Sequence, residues 1–541
     1  MPTRDFQKQA TALIDDLKGV CANYGLGNDG NEFKIITQIF LYKFLNDRFA
    51  YEVKRLHPPL ARANSWENAL ANYTPQAYEM LLIQLGDGTA QLRPEHFIAT
   101  LYGRQNEETF AKTLDATLLS IAELNAGVFS VMTDDGEKQP LFEPITEYVA
   151  SKRNEFARAM MNKLVHFSFE HLFAEKFDFF ATLFEYLIKD YNKDGGGKYA
   201  EYYTPHAVAK IMASCLVTEE VQNVTCYDPS AGSGTLLMNL AHAIGEERCS
   251  IYSQDISQKS SSLLRLNLIL NKLVHSIPNV IQGNTILHPY HRDEGGGLRK
   301  FDYIVSNPPF KLDFSDFRGD LEVPANRERF FAGIPKVPNK DKDKMAIYLL
   351  FIQHIIHVLG KKGKAAIVVP TGFITAQSGI EKGIRQRLVE NQMLAGVVSM
   401  PSNIFATTGT NVSILFLDAT NRGEVILIDA SNLGTKVKEG KNQKTLLSTA
   451  EEDQIIRVFN GKEVVEDFSV VVNYDEIAAK NHSFSAGQYF DVKIGHCEMS
   501  PDEFLKRMAS HKARLGELFA MSRKSEAEIL SKLEGSKYVD N

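Results

Sequence analysis

The stretch Val224-Thr-Cys-Tyr-Asp228-Pro-Ser-Ala-Gly-Ser-Gly234-Thr-Leu-Leu-Met-Asn-Leu-Ala-His-Ala-Ile244 decides the reading of the fold. A short apolar run ends on an acid, two glycines turn the chain, and a helix-like apolar segment follows. That is the pattern of a strand feeding a helix through a tight loop. Gly232 and Gly234 allow tight turning and let ligand atoms approach the main chain, while the following helix presents unpaired N–H groups. The spacing is not the G-x-G-x-x-G dinucleotide fingerprint, and it lacks the Lys-Ser/Thr of a phosphate loop. A loop led by an acid suits a cationic ligand, and Asp228 can pair with the ammonium of a methionine moiety.

Outward from this loop the same rhythm repeats. Ser250–Asp255, Val280–Gly283, Phe301–Ser306, Lys364–Pro370, Leu394–Met400 and Val412–Leu417 read as further strands. Helix-like segments lie between most of them, including Thr235–Ile244, Lys259–Asn271 and Met345–Leu359. The alternation predicts an α/β fold with a doubly wound, mostly parallel sheet covered on both faces. In such sheets ligands sit at the carboxyl ends of the strands, and Asp255, ending the second strand, is placed to accept from two ribose hydroxyls.

Asn307-Pro308-Pro309-Phe310 follows the fourth strand directly and so faces the same crevice as the glycine loop. The prolines fix φ and remove two donors, leaving stiff, outward-facing carbonyls. An adenine amine is conjugated with its ring and is a poor nucleophile. If the Asn307 side-chain oxygen and the Pro308 carbonyl both accept from it, its lone pair turns toward a methyl donor. Phe310 then offers a face on which an extruded base stacks. Taken alone, the tetrapeptide also reads as a rigid strand-end turn; its place after a sheet strand favours the chemical reading.

The flanks differ. Roughly the first 170 residues read as helical, with one apolar stripe over Glu32–Arg48 and further helical patterns at Ala111–Leu124 and Ile145–Met161. The glycine run Asp194-Gly-Gly-Gly-Lys198 marks the change to the strand–helix rhythm. Past residue 480 a charged helix carries Phe504, Leu505, Met508, Leu515, Leu518 and Phe519 at near-heptad spacing, compatible with packing on a partner. The expected division is a helical domain at 1–170, a catalytic domain at 171–479 and a helical, partner-binding tail at 480–541.

A net charge of −7 argues against a chain that holds DNA alone through a broad basic face. Lys336–Lys344 and Lys436–Lys444 are local basic segments able to touch phosphates, although a solvated loop is the simpler reading of each. The 5 cysteines are scattered and form no C-x-x-C pair, so neither a disulfide framework nor a metal site is expected. No signal-like start and no spanning apolar run are found, so a cytoplasmic protein is expected.

The order of glycine loop and NPPF resembles the amino-methyltransferases of DNA adenine. Within them the chain resembles the modification subunit of type I restriction–modification systems, over residues 30 to 500. Leu41-Tyr-Lys-Phe-Leu-Asn-Asp-Arg48 is similar to part of that family's amino-terminal helical domain. Glu201-Tyr-Tyr-Thr-Pro-His206 is similar to its cofactor-binding element. Asn403-Ile-Phe405 with Thr408–Ser413 resembles the segment closing its sheet, and Gln488–Asp491 the start of its tail. The resemblance implies a class I methyltransferase fold using S-adenosyl-L-methionine. It implies a cofactor site built from Glu201, Tyr202, Tyr203, Thr204, Pro205, His206, Asp228, Ser230, Gly232, Gly234 and Asp255, and catalysis by Asn307, Pro308, Pro309 and Phe310. Where related enzymes often carry an acid after the third strand, this chain has Asn284, whose oxygen can still meet the cofactor's adenine amine. DNA, a specificity subunit and a motor-nuclease subunit are the implied partners, with two copies of this chain per assembly. The alternatives weighed are a glutamine N5 protein methyltransferase, in which a similar tetrapeptide serves a planar amide, a stand-alone DNA adenine methyltransferase, and a catalytically silent scaffold.

Overall fold

The computed structural model describes residues 2–27, 30–170, 173, 204–405, 411–439, 442–490 and 500–534. Its strands are β1 Val131–Thr133, β2 Lys138–Gln139, β3 Val224–Asp228, β4 Cys249–Asp255, β5 Val280–Gln282, β6 Phe301–Ser306, β7 Leu359–Pro370, β8 Leu394–Ser399, β9 Val412–Asp418, β10 Val425–Asp429, β11 Thr435–Glu439, β12 Asn442–Leu446 and β13 Ser469–Val472. Eleven of them form one sheet in the order β13-β10-β8-β9-β7-β6-β3-β4-β5-β1-β2. From β7 through β6, β3, β4 and β5 to β1 every pairing is parallel. β9 runs antiparallel between β7 and β8, so β8 and its parallel neighbour β10 share the direction of β7. The carboxyl ends of β3, β4, β5, β6, β8 and β10 therefore meet at one edge. Central strands buried on both faces explain their near-continuous apolar composition, as in Val305 and Ile367–Val369.

The expected strands are present, with ends shifted by a few residues. Four members of the sheet go beyond the sequence reading. β10 (Val-Ile-Leu-Ile-Asp) and β13 extend one side, and β1 and β2 extend the other. The last two come from the amino-terminal stretch expected to be helical throughout. β1 lies parallel to β5, with Met132 opposite Ile281 and Thr133 opposite Gln282. Arg265, buried in the helix Gln258–Leu270, holds this hairpin through the carbonyls of Gln139, Pro140 and Leu141.

The Glu32–Arg48 expectation falls inside the helix Gly30–Leu56, which is buried on more than one stripe. Its Lys43 and Asp47 form an internal ion pair of 2.8 Å, and Asp47 also accepts from the Phe169 N–H. Those partners make charged residues tolerable on a face that faces protein rather than water. Ala111–Leu124 corresponds to the helix Phe110–Leu124. The helix expected over Ile145–Met161 begins only at Arg153, because Asp115 captures the Ile145 and Thr146 N–H groups in a 3₁₀ turn and Lys152 takes a left-handed conformation at the helix start. The glycine run Asp194–Lys198 lies outside the described residues.

The chain divides into two compact units, residues 1–489 and 490–541. In the first, one hydrophobic core runs from Ala10 and the amino-terminal helices through the sheet to Phe468. A smaller core gathers Phe314, Leu321, Phe330, Met345 and Phe351 under the segment between β6 and the helix Tyr348–Val358. The second unit contains the helix Pro501–Glu534. Among the described residues, no helix is long and apolar enough to cross a membrane.

Candidate functional site

The site grows from the turn after β3. The Asp228 carboxylate accepts from the Ser230 N–H at 2.9 Å, folding the chain back immediately beyond the strand. Gly232 and Gly234 both take positive φ, 52° and 84°. At Gly234 a Cβ atom would lie 2.2 Å from the Leu264 side chain, so only glycine lets the next helix start this close to its neighbour. That helix, Thr235–Ile244, points its amino end into the crevice.

Two neighbouring strand ends lock the loop. From β4, Asp255 accepts the Gly232 N–H at 2.9 Å through one oxygen and the Ser257 N–H at 2.9 Å through the other. From β6, Ser306 bonds Ser230 hydroxyl to hydroxyl at 2.7 Å. After β5, the Thr285 hydroxyl donates to the Pro229 carbonyl at 2.7 Å. Most of these bonds link segments far apart in sequence, and together they make a rigid rim.

Burial pushes the Asp228 carboxyl up to about 7; the Ser230 N–H pulls it back, and the nearby Asp255 charge raises it further. The Asp255 carboxyl is also raised by burial, against the two N–H bonds it accepts. Both acids keep acceptor capacity for a cation or for hydroxyl donors.

Of the residues singled out in the sequence, Thr204, Asp228, Ser230, Gly232, Asp255, Asn284, Asn307 and Pro309 line one cavity. Asn307 donates its Nδ2 to the Thr204 hydroxyl at 3.2 Å, tying the tetrapeptide to the residue that opens the Thr204-Pro-His206 turn. Pro205 caps the helix His206–Leu216 and His206 is its first residue; neither lines the cavity. Pro308 is buried and is not among the residues that line the cavity. Phe310 is half-buried against the main core, its ring 6.3 Å from that of Tyr348 and edge-on at 74°, and it too stands outside the lining. Glu201, Tyr202 and Tyr203 lie outside the described residues, as do Thr408–Thr410 and Asp491.

Asn284 is placed differently from the expectation of a free acceptor. Its Oδ1 already accepts from the Ile286 N–H at 3.0 Å and the Leu287 N–H at 3.1 Å, so the side chain shapes the loop after β5.

Sequence reasoning missed several participants. Ile256, Ile286 and Phe351 supply apolar wall. Arg329, 2% exposed, donates to the Thr285 carbonyl at 2.6 Å, the Ile286 carbonyl at 2.7 Å and His354 Nδ1 at 3.0 Å. It thereby bolts the segment after NPPF to the cavity wall. Burial, followed by the Arg329 charge, holds His354 well below the usual histidine range, leaving it a neutral acceptor. Ile256 was legible as the apolar residue following Asp255; nothing local to Arg329 marked it.

An open sheet with a glycine turn after one strand and a proline-stiffened tetrapeptide after its neighbour, at one edge, is the fold of class I S-adenosylmethionine-dependent methyltransferases. The chain belongs to the N-6 DNA methylase family, whose model matches residues 175–496. It is 29% identical over 346 residues to the methylase subunit of the type I restriction enzyme MpnII of Mycoplasma pneumoniae, covering 62% of this chain and 61% of that one. It is 28% identical over 357 residues to the MjaIX methylase subunit of Methanocaldococcus jannaschii, covering 62% and 59%. The chain thus spans about three fifths of the length of these relatives. In fold it is similar to the type I restriction-modification methyltransferase subunit from Streptococcus thermophilus, with a TM-score of 0.68, 22% identity, and coverage of 90% of this chain and 100% of that one.

Proposed function

We propose that this chain transfers a methyl group from S-adenosylmethionine to the N6 amine of adenine in DNA, as the modification subunit of a type I restriction–modification system. The observation that carries the reading is the convergence of Asn307 and the Asp228–Gly234 loop on one cavity, joined by the Ser230–Ser306 bond. The donor set fits the cofactor: an acid at the β4 end for ribose hydroxyls, a second acid under the loop for an ammonium, backbone N–H groups at a helix start, and an apolar wall. When bound, the cofactor supplies an electrophilic methyl group.

This chain's residues do the rest. With its Nδ2 held by Thr204, Asn307 presents Oδ1 as an acceptor for the target amine, and that oxygen has no partner among the described residues. The Pro308 carbonyl supplies the second acceptor. Fixed acceptors stabilise the positive charge that develops on the amine without reorganising during transfer. Phe310, edge-on to Tyr348, gives the flipped base an aromatic flank.

The relatives are named as methylase subunits of type I restriction enzymes, which supports assembly with further subunits. A specificity subunit and a motor-nuclease subunit as those partners, two copies of this chain per assembly and a cytoplasmic location complete the proposal. The division into a helical amino-terminal domain at 1–170, a catalytic domain at 171–479 and a partner-binding helical tail at 480–541 is kept as part of this reading, although the hairpin Val131–Gln139 of the first joins the sheet of the second.

The test is transfer of labelled methyl to duplex DNA, with and without partner subunits. Asn307→Ala should bind S-adenosylmethionine nearly as the parent does and lose transfer by at least two orders of magnitude, about the weight of one preorganised charge-stabilising group. Parent-rate methylation by the variant overturns the mechanism. Label recovered in protein glutamine rather than adenine overturns the substrate.

A further inference from the structure

The loop after β5 carries Asn284, with its side-chain oxygen turned to its own backbone, yet an acid stands beside it. Asp134, in the turn between β1 and β2, brackets Gly283 from both sides. Its N–H donates to the Gln282 carbonyl at 2.9 Å and its Oδ2 accepts from the Asn284 N–H at 3.2 Å. The approach is so close that a Cβ on Gly283 would lie 2.4 Å from the Asp134 carboxylate, which only glycine permits. Gly283 in turn donates its N–H to the carbonyl of Asp255, the acid at the ribose end of the cavity. Asn284, Thr285 and Ile286, immediately downstream, line that cavity.

The hairpin that delivers Asp134 is itself clamped. Arg265 gathers its following carbonyls, and β1 pairs with β5. An acid from the amino-terminal region is thus held rigidly against the backbone of the one wall whose own residue at that point is neutral.

We propose that Asp134 is a positioning residue for the cofactor. Its carboxylate fixes the Gly283–Asn284 backbone, and with it the wall that receives the purine end, so that the amino-terminal region completes the cofactor site. The inference rests on the S-adenosylmethionine reading. Asp134 acts through the loop and takes no part in the transfer step, so its loss should move cofactor affinity and KM but leave kcat at saturation alone.

The experiment is calorimetric titration of the full chain with S-adenosylhomocysteine, alongside KM and kcat for S-adenosylmethionine. Asp134→Ala removes a charge-assisted acceptor from a backbone N–H and should weaken binding about tenfold, with KM rising in step. Asp134→Asn keeps an oxygen acceptor at the same reach and should restore most of the affinity. The unliganded melting temperature should stay near the parent's in Asp134→Asn, which keeps the test valid even if the alanine variant folds poorly. Parent-like affinity in Asp134→Ala overturns the inference, as does a fall in kcat with KM unchanged or an equal loss in both variants. A parent chain that binds no S-adenosylhomocysteine sinks the cofactor reading itself, which separates the two failures.

Discussion

At the scale of single residues the most consequential group is Asp228, an acid 1% exposed whose carboxyl is pushed by burial to about 7 from an ordinary 3.8. Between those two values the folded chain holds a proton that the unfolded chain has released. The contribution of this group to stability is therefore present in full at low pH and falls as pH rises toward 7. A cationic ligand reverses the preference, since only the ionised carboxylate attracts it. Binding of S-adenosylmethionine should strengthen as pH rises from about 6 to 7.5 and release a proton in that range. Calorimetry in buffers of differing ionisation enthalpy reads the proton directly. Asp228→Asn should flatten the dependence, and an unchanged proton release in that variant removes Asp228 from the account. Asp228, Asp255 and Asn307 were legible because each stands at a strand end in a pattern that sequence spacing reveals. Thr285, Arg329 and Asp134 were not, because their roles arise between segments distant in the chain. Asn284 lines the cavity as its position after the strand suggested, but its oxygen is committed to the backbone, which the sequence did not reveal.

At the scale of elements, the sheet edge that carries the cavity also carries the hairpin β11–β12, which follows the carboxyl end of β10. Thr445 fastens it to the loop after β8: its hydroxyl donates to the Ser402 carbonyl at 2.6 Å and its N–H to the Asn403 carbonyl at 3.0 Å. Lys436 and Lys438 are exposed and share a face with their cross-strand partners, the buried Thr445 and the exposed Gln443, while Lys444 is half-buried and pairs with Val437 on the other. In a chain of net charge −7, lysines at the cavity edge fit, on the proposed function, an encounter with DNA phosphates. Replacing Lys436, Lys438 and Lys444 by alanine should weaken DNA binding and reduce the slope of log K against log salt by about 0.9 for each phosphate left without its lysine. Cofactor affinity should not move. A slope equal to the parent's returns the hairpin to a solvated loop. The elements that escaped the sequence reading have physical reasons in common. β10 and β13 are short apolar runs without alternation, and β1 and β2 are strands of three and two residues that only the sheet edge makes regular. The helix at Arg153 starts late because Asp115, from another helix, holds the preceding backbone. Long amphipathic helices and strands beside glycine turns were readable because their information is local.

At the scale of the whole molecule the question is what the second unit is for. The first unit closes on itself at Tyr489: Phe484 donates its N–H to the Ile374 carbonyl at 2.9 Å, Arg385 bonds the His482 carbonyl at 2.7 Å, and the Tyr489 hydroxyl reaches the Ser483 carbonyl at 2.7 Å. A cut at residue 485 would damage that closure by removing buried Ala486, so the informative truncation begins at Phe490. Beyond it stands the helix Pro501–Glu534, 34 residues and so about 50 Å long. Phe504, Leu505, Met508, Leu515, Leu518 and Phe519 are exposed along it. Such a stripe stabilises nothing within its own helix, and burying it against a partner would gain roughly 1.5–3 kcal/mol for each large side chain fully covered. Removal of residues 490–541 should therefore leave cofactor affinity and melting temperature unchanged while abolishing co-elution with the specificity subunit on size-exclusion chromatography. Phe504→Glu combined with Phe519→Glu in the full chain should do the same without shortening it, with helix content preserved by circular dichroism. That pair separates the part played by the apolar stripe from the part played by the tail's length. A truncated chain that still co-elutes would place the assembly surface on the first unit, and the tail would then need another occupant for its apolar face.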